Sequence, residues 1–163
     1  MDTIYFAKVK ENAVLPSKRD EDGCYDLYAC FDEQEIVINP HQVKLIPTGI
    51  ASAFDKKYRL ALRERGSNTK TGLIVMAGQI DSGYRGEIFA ALYNSGDYPV
   101  TISKNRSEFQ QNTLNHKYWP YSKAICQAAL EEVPVVDIEE ITYEELLEMD
   151  SDRGTGKLGS SEK

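Results

Sequence analysis

In the run Gly78-Gln79-Ile80-Asp81-Ser82-Gly83-Tyr84-Arg85-Gly86-Glu87-Ile88-Phe89-Ala90-Ala91-Leu92-Tyr93, a turn rich in glycine, aspartate and serine delivers the chain into an apolar strand. It reads as a hairpin whose turn gathers Asp81, Tyr84 and Arg85. A carboxylate at such a turn can act as a base toward water, and a tyrosine ring three residues on can lie against a sugar or a base. Arg85 and Glu87 are expected on one strand face, where they can pair. The same residues also suit an ordinary polar hairpin with Ile80, Ile88 and Leu92 packed inward.

The pattern on either side is β as well. Short alternating or β-branched runs recur at Ile4–Val9, Glu35–Ile38, Val43–Ile50, Tyr58–Leu62, Leu73–Val75, Ile88–Tyr93, Val100–Ser103 and Ala124–Leu130. Turn signals such as Asn39-Pro40, Arg65-Gly66-Ser67-Asn68 and Asn94-Ser95-Gly96-Asp97 separate them. Many short strands broken by turns predict an all-β sandwich, jelly roll or barrel. One short helix is expected at Tyr143–Met149, opened by a capping box of Thr142 and Glu145, with Glu144, Glu145 and Glu148 on a solvated face. Residues 104–123 are polar and aromatic with no clean period, and are read as an inserted loop.

Composition narrows the function. A chain of 163 residues makes one domain with a real core. Its net charge of −7 argues against a nucleic-acid polymer as partner, so any polyanionic ligand must be held by local cations and backbone donors. No apolar run reaches the roughly 18 residues of a membrane span. Met1-Asp2-Thr3 lacks the pattern of a secretory leader, and the expectation is a cytoplasmic protein. Cys24, Cys30 and Cys126, with His41 and His116, lack the spacing of a zinc site and are read as free thiols and isolated imidazoles.

Two further segments look built for phosphate. The tail Arg153-Gly154-Thr155-Gly156-Lys157-Leu158-Gly159-Ser160-Ser161-Glu162-Lys163 is too polar to fold alone, yet it offers glycine-exposed N–H groups, a guanidinium and hydroxyls. Such a tail is either a lid over a phosphorylated ligand or a disordered end. It is not a P-loop, because Leu158 follows Gly156-Lys157 where a Ser or Thr is needed. Upstream, Arg63-Glu64-Arg65-Gly66-Ser67-Asn68 places guanidinium, glycine and hydroxyl in sequence, another plausible anion cradle.

Order and spacing of these pieces resemble the trimeric dUTPase family over nearly the whole chain. Asp22-Gly23-Cys24-Tyr25-Asp26-Leu27-Tyr28-Ala29 resembles its first motif, and Arg65-Gly66-Ser67 its second. Gly78–Gly86 matches the third closely, Lys123-Ala124-Ile125-Cys126-Gln127 the fourth, and Arg153–Ser161 the fifth, a mobile glycine-rich lid. The third and fifth are the most specific.

The resemblance implies a distorted jelly-roll or β-barrel domain over residues 1–152, with an insertion at about 104–123 and a lid at 153–163. It implies a homotrimer with three active sites at subunit junctions, and Mg²⁺-dependent hydrolysis of dUTP to dUMP and pyrophosphate. By that resemblance, Asp81 orients the attacking water and contacts the sugar 3′-hydroxyl. Tyr84 lies beneath the deoxyribose, and the backbone of Gly78, Gln79, Ile80 and the following turn through Tyr84 and Arg85 reads uracil. Arg65, Gly66, Ser67 and Gln127, with Arg153, Lys157, Leu158, Gly159 and Ser160 of the lid, hold the nucleotide. Asp26 orients the Mg²⁺ shell through water.

The chain departs from the family pattern in places. Cys24 stands where a glycine is usual, motif two reads Arg65-Gly66-Ser67 rather than Arg-Ser-Gly, and Leu158 replaces the lid aromatic. A dCTP deaminase shares the fold, but it needs a glutamate where this chain has Ala90-Ala91-Leu92-Tyr93. A binding or regulatory module on the same fold, engaging a protein partner through residues 104–123, is the alternative from another class.

Overall fold

The computed structural model describes residues 2–108 and 115–156. Twelve strands, one short α-helix and one 3-10 helix (Gly66–Lys70) are present among them. Four small sheets carry the strands. In the first, β1 (Tyr5–Lys8) pairs antiparallel with β5 (Ile50–Ala53). In the second, β10 (Val100–Ser103) lies between β3 (Glu35–Ile38), antiparallel, and β11 (Lys117–Pro120), parallel. The third runs β2 (Tyr25–Leu27), β12 (Cys126–Glu132), β6 (Tyr58–Arg63), β8 (Gln79–Ile80). The fourth runs β4 (Val43–Pro47), β9 (Phe89–Asn94), β7 (Leu73–Met76). The domain is all-β, as its runs of β-branched residues predict.

Leu27, Ile38, Ile46, Leu60, Leu73, Ile88, Leu92, Ile102, Trp119 and Ile125 form one buried cluster drawn from the three larger sheets. Each sheet contributes alternate residues, the period-2 geometry of a strand with one face inward. In β9, Ala90, Leu92 and Asn94 point to the core while Phe89 and Tyr93 stay outside it. The buried Asn94 is satisfied by donating to the carbonyls of Ile38 and Tyr98.

The outward face of the β4–β9–β7 sheet is unusual. Register places Val43, Tyr93 and Ile74 in one row, Leu45, Ala91 and Met76 in the next, and Pro47 beside Phe89. Every one of these side chains is apolar or aromatic, and Val43, Leu45, Ile74, Met76 and Phe89 are exposed. A wet antiparallel face ordinarily alternates to polar residues. This one does not.

Several sequence expectations are corrected. The run Val43–Ile50 is two strands in different sheets, broken at Gly49. Gly49 takes φ +67°, and a Cβ there would sit 2.7 Å from Ala13 Cβ and 2.9 Å from Cys30 Sγ, so only glycine turns this corner. The stretch 104–123 is not all loop: Lys117–Pro120 forms β11, with Trp119 wholly buried against the core. Residues 109–114 of that stretch lie outside the described residues. Strands β2 and β8 escape the sequence pattern because three and two residues are too short to show a period. The helix α1 (Tyr143–Glu148) forms as expected, with Thr142 N–H donating to Glu145 Oε2 at 2.8 Å and Glu145 N–H to Thr142 Oγ1 at 3.2 Å. The bonds that the Thr142 N–H and hydroxyl donate to Glu145 Oε2 hold that carboxyl below its usual range.

Candidate nucleotide site

The hairpin is anchored before it is functional. Ala77 takes φ +50° as the chain leaves β7, and Gly78 then lies so close to β6 that a Cβ would meet Leu62 O at 2.6 Å. Leu62 N–H donates to Gly78 O at 2.6 Å, and Ile80 pairs with Leu60 in register. Gly78 thus serves close backbone approach. Beyond β8, Tyr84 N–H donates to Asp81 O at 3.1 Å and closes the turn. The Tyr84 hydroxyl donates to Glu87 O at 2.9 Å. Gly86 lets the ring fold over, since a Cβ there would lie 2.5 Å from that hydroxyl oxygen.

These contacts open a cleft of about 250 Å³ lined by Gln79, Ile80, Asp81, Tyr84, Glu87 and Phe89. Four of the expected site residues are therefore gathered, with an exposed carboxylate and an exposed ring lining the same cleft. Arg85 and Glu87 do not pair. The Arg85 guanidinium folds back to donate to Ser82 O and Tyr84 O, while Glu87 Oε1 accepts from Gly49 N–H at 2.7 Å. Neither residue lies in a strand, so the expected common face does not exist.

A second, larger basin of about 870 Å³ is lined by the loop Ser17–Cys24 together with Asp26, Arg65 and Gln127. β2 and β12 bring Asp26 opposite Gln127, and β12 pairs Gln127 with Arg63 of β6 on its other side. The Arg65 guanidinium grips Asp26 with both arms, Nε to Oδ1 at 2.8 Å and Nη2 to Oδ2 at 3.0 Å. Gln127 Nε2 donates to Glu64 O at 2.7 Å. The turn carrying Gly66 and Ser67 is held by buried Asn68, whose Oδ1 accepts from Arg65 N–H at 3.0 Å and whose Nδ2 donates to Ile125 O at 3.3 Å. Ser67 Oγ is buried with no partner, a costly state unless a ligand or water meets it.

Sequence reasoning missed the other basin groups, Lys18, Arg19, Glu21 and Asp22. Arg19 and Asp22 form their own two-armed pair, which raises the guanidinium pKa and lowers that of the carboxyl. Lys18 Nζ donates to Asp22 O at 2.8 Å. Three cations thus face three carboxylates, so the basin carries no net positive charge of its own. Cys24 lines it with a free thiol; deeper in, burial pushes the Cys126 thiol up to about 12 and keeps it protonated.

The two clefts share no lining residue. Arg153 lies in neither, and its Nε donates to Gly156 O at 3.2 Å. Lys157, Leu158, Gly159 and Ser160 lie outside the described residues. No group of three or more metal-ligating side chains occurs among the described residues.

Chemically, this is an all-β scaffold with a carboxylate–aromatic cleft and a separate basin of paired charges. The dUTPase family pattern matches residues 10–107, and this chain belongs to the dUTPase family. A deoxyuridine 5′-triphosphate nucleotidohydrolase of Nautilia profundicola is 32% identical over 160 residues, 96% of each chain. One of Clostridium tetani is 31% identical over 165 residues, 99% of this chain and 97% of its own. Among solved structures, the Staphylococcus bacteriophage 80alpha dUTPase G164S mutant with dUpNHpp superposes with a TM-score of 0.75 at 22% identity, covering 98% of both chains. At that identity the likeness bears on the fold alone, a jelly-roll-like dUTPase domain.

Proposed function

We infer that this protein hydrolyses dUTP to dUMP and pyrophosphate. The observation that carries the reading is the cleft that Asp81 and Tyr84 line together with Gln79 and Ile80 of the edge strand β8. Asp81 holds a water for in-line attack on the α-phosphorus, and the water oxygen replaces the bridging oxygen that departs with pyrophosphate. Tyr84 supports the deoxyribose and leaves no room for a 2′-hydroxyl. Main-chain groups from Gly78 to Tyr84 and Arg85 read the uracil edge, and their anchoring to β6 keeps them in place.

Arg65, Gly66, Ser67 and Gln127 hold the triphosphate in the basin. The unpartnered Ser67 hydroxyl supports this role for the motif-two hydroxyl. Arg153, Lys157, Leu158, Gly159 and Ser160 complete the site as a lid that removes water from it. Asp26 fits a Mg²⁺ shell reached through water: Arg65 occupies one acceptor position on each carboxylate oxygen and leaves the others free. When bound, the ion supplies the positive charge that a basin of balanced charges lacks. Relevant here, one solved phage phi11 dUTPase is described with a structural Mg(II) ion.

The protein acts as a homotrimer. Two features support this: the apolar outer face of β4–β9–β7, and an arm, residues 132–155, exposed throughout with Val135 at 83% and Ile138 at 98%. Each buries apolar surface only against another copy. Trimerisation also accounts for the separation of the two clefts, since one subunit gives the basin, a neighbour the uracil hairpin, and another the lid. Three free thiols suit a reducing, cytoplasmic setting, and no helix among the described residues is long and apolar enough to cross a membrane.

A panel of dUTP, dCTP, dTTP and UTP with Mg²⁺ and pyrophosphate detection tests the reading. Turnover confined to dUTP is expected. Equal turnover of dUTP and dCTP would remove the uracil-reading hairpin from the account.

A further inference from the structure

We propose that Glu87 is a positioning residue for sugar selection, a strap that fixes the Tyr84 ring against the rigid corner between β4 and β5. The proposal rests on the reading of Tyr84 as the support beneath the deoxyribose.

The ring has little else to hold it. Tyr84 is 45% exposed, and its hydroxyl makes one hydrogen bond, to the main-chain oxygen of Glu87. Ring position therefore follows the Glu87 main chain. That main chain precedes β9, which begins at Phe89, and is not part of the strand ladder. Two contacts secure it: Ile88 N–H, in the same peptide unit as the Glu87 carbonyl, donates to Ile50 O at 2.8 Å, and the Glu87 carboxylate accepts from Gly49 N–H at 2.7 Å, which leaves the carboxylate as the tie on the side of the cleft. A carboxylate accepting from a backbone amide is among the stronger neutral–ionic contacts available to a chain. No cation competes for it within salt-bridge distance among the described residues.

Gly49 is a firm anchor. Its carbonyl accepts from Val9 N–H at 2.7 Å, and its α-carbon is wedged against Ala13 and Cys30 with no space for a side chain. The neighbouring Ile88 is tied to the same corner, with Thr48 Oγ1 donating to Ile88 O at 2.6 Å and Ile88 N–H to Ile50 O at 2.8 Å. Glu87 thus joins the exposed ring to a corner buried in the core, using its carbonyl for one end and its carboxylate for the other. It also lines the cleft it braces. Steric exclusion of a 2′-hydroxyl needs the ring fixed to within a fraction of an ångström, which an unsupported surface tyrosine does not achieve.

The test compares kcat/KM for dUTP and UTP in the full-length protein and in Glu87→Ala, Glu87→Asp, Glu87→Gln and Tyr84→Ala. Glu87→Gln keeps an oxygen for Gly49 N–H and should retain the parent dUTP/UTP ratio. Glu87→Ala and Glu87→Asp, which remove or withdraw that oxygen, should lower the ratio by about 10-fold, in line with the cost of small misplacements at reacting centres. If Glu87→Ala does not fold, as thermal melting reports, Glu87→Asp against Glu87→Gln carries the same comparison. A merely structural Glu87 would depress both nucleotides equally and leave the ratio unchanged, which overturns the proposal. If Tyr84→Ala itself keeps the parent ratio, the reading of the ring is wrong and the proposal falls with it. A ratio that collapses in Tyr84→Ala but stays intact in Glu87→Ala and Glu87→Asp overturns the strap alone.

Discussion

The hairpin cleft and the carboxyl-terminal arm are assigned to one nucleotide, yet they are built in opposite ways. The hairpin is bonded to β6 at Leu62, paired in register at Leu60 and Ala61, and strapped at Glu87 to the corner at Gly49. Residues 132–155 of the arm are exposed, and α1 buries none of its own side chains. A group that must discriminate bases and sugars needs fixed geometry before substrate arrives. A group that must close over substrate and let product leave draws on the weakly held end of the stability range. The difference separates accuracy, built into the core, from closure, left to an exposed arm.

The largest effect that would break this contrast is chemical. Asp81→Asn should retain nucleotide binding and lose about 10²–10⁴-fold in kcat, the range of a positioned general base; single-turnover kinetics with near-parent rates would take the water-orienting role from the hairpin. Next in size, deleting residues 153–163 should leave the thermal transition unmoved while turnover falls. Removing one charge-assisted hydrogen bond to phosphate costs about 1.5–3 kcal/mol, and the deletion takes away several together. Full activity in the folded truncation would reduce the arm's end to a spectator.

A smaller effect on chemistry but a clear one on assembly is expected from Leu45→Lys, which sets a charge in the apolar face of β4–β9–β7. On the proposed trimer, sedimentation should show dissociation with activity falling alongside, because in that assembly the two clefts that meet at one site come from different copies. A trimer that survives the change would place the interface elsewhere. Adding a ring to the lid with Leu158→Phe should preserve or modestly tighten dUTP binding, by roughly 0.5–1.5 kcal/mol for an aromatic pair; weaker binding in calorimetry would show that Leu158 does not lie over the base.

The smallest effect concerns the sheet beneath both regions. Glu131 on β12 accepts from Arg63 and from Arg59 of β6, and these bonds hold its carboxyl below the usual range. A folded-state pKa that is depressed contributes stability above the unfolded value and loses it as pH falls through the folded one. Melting temperature should therefore drop slightly on acidification below the ordinary glutamate range, and Glu131→Gln should flatten that part of the profile. The pair is solvent-screened, so the change is expected to be small.

Local chemistry was legible in the chain. The capping box at Thr142 and Glu145 joins residues three apart, and the structure closes it as the residue types require. Ile88 and Leu92 are buried in the core and Ile80 packs partly buried against it, as their spacing predicts. Signals failed where the decisive partner is distant. Lys117-Tyr118-Trp119-Pro120 looks like loop until β10 lies beside it, and Gly49 looks like a permitted interruption until Ala13 and Cys30 crowd its α-carbon. Arg85 and Glu87 are neighbours in sequence, but backbone carbonyls within three residues claim the first and an amide 38 residues away claims the second.

By itself, then, the sequence determined the all-β class, the hairpin carrying Asp81 and Tyr84, and membership of a family of dUTP hydrolases, because turn chemistry, alternation and motif order are properties of short windows. Only the tertiary structure decided that Arg65 grips Asp26 across 39 residues, that Ser67 is left without a partner, and that the two clefts stay apart within one chain. Those outcomes depend on which strands meet and in what register. Register is set by the burial of a whole sheet face at once, and no window of the sequence contains it.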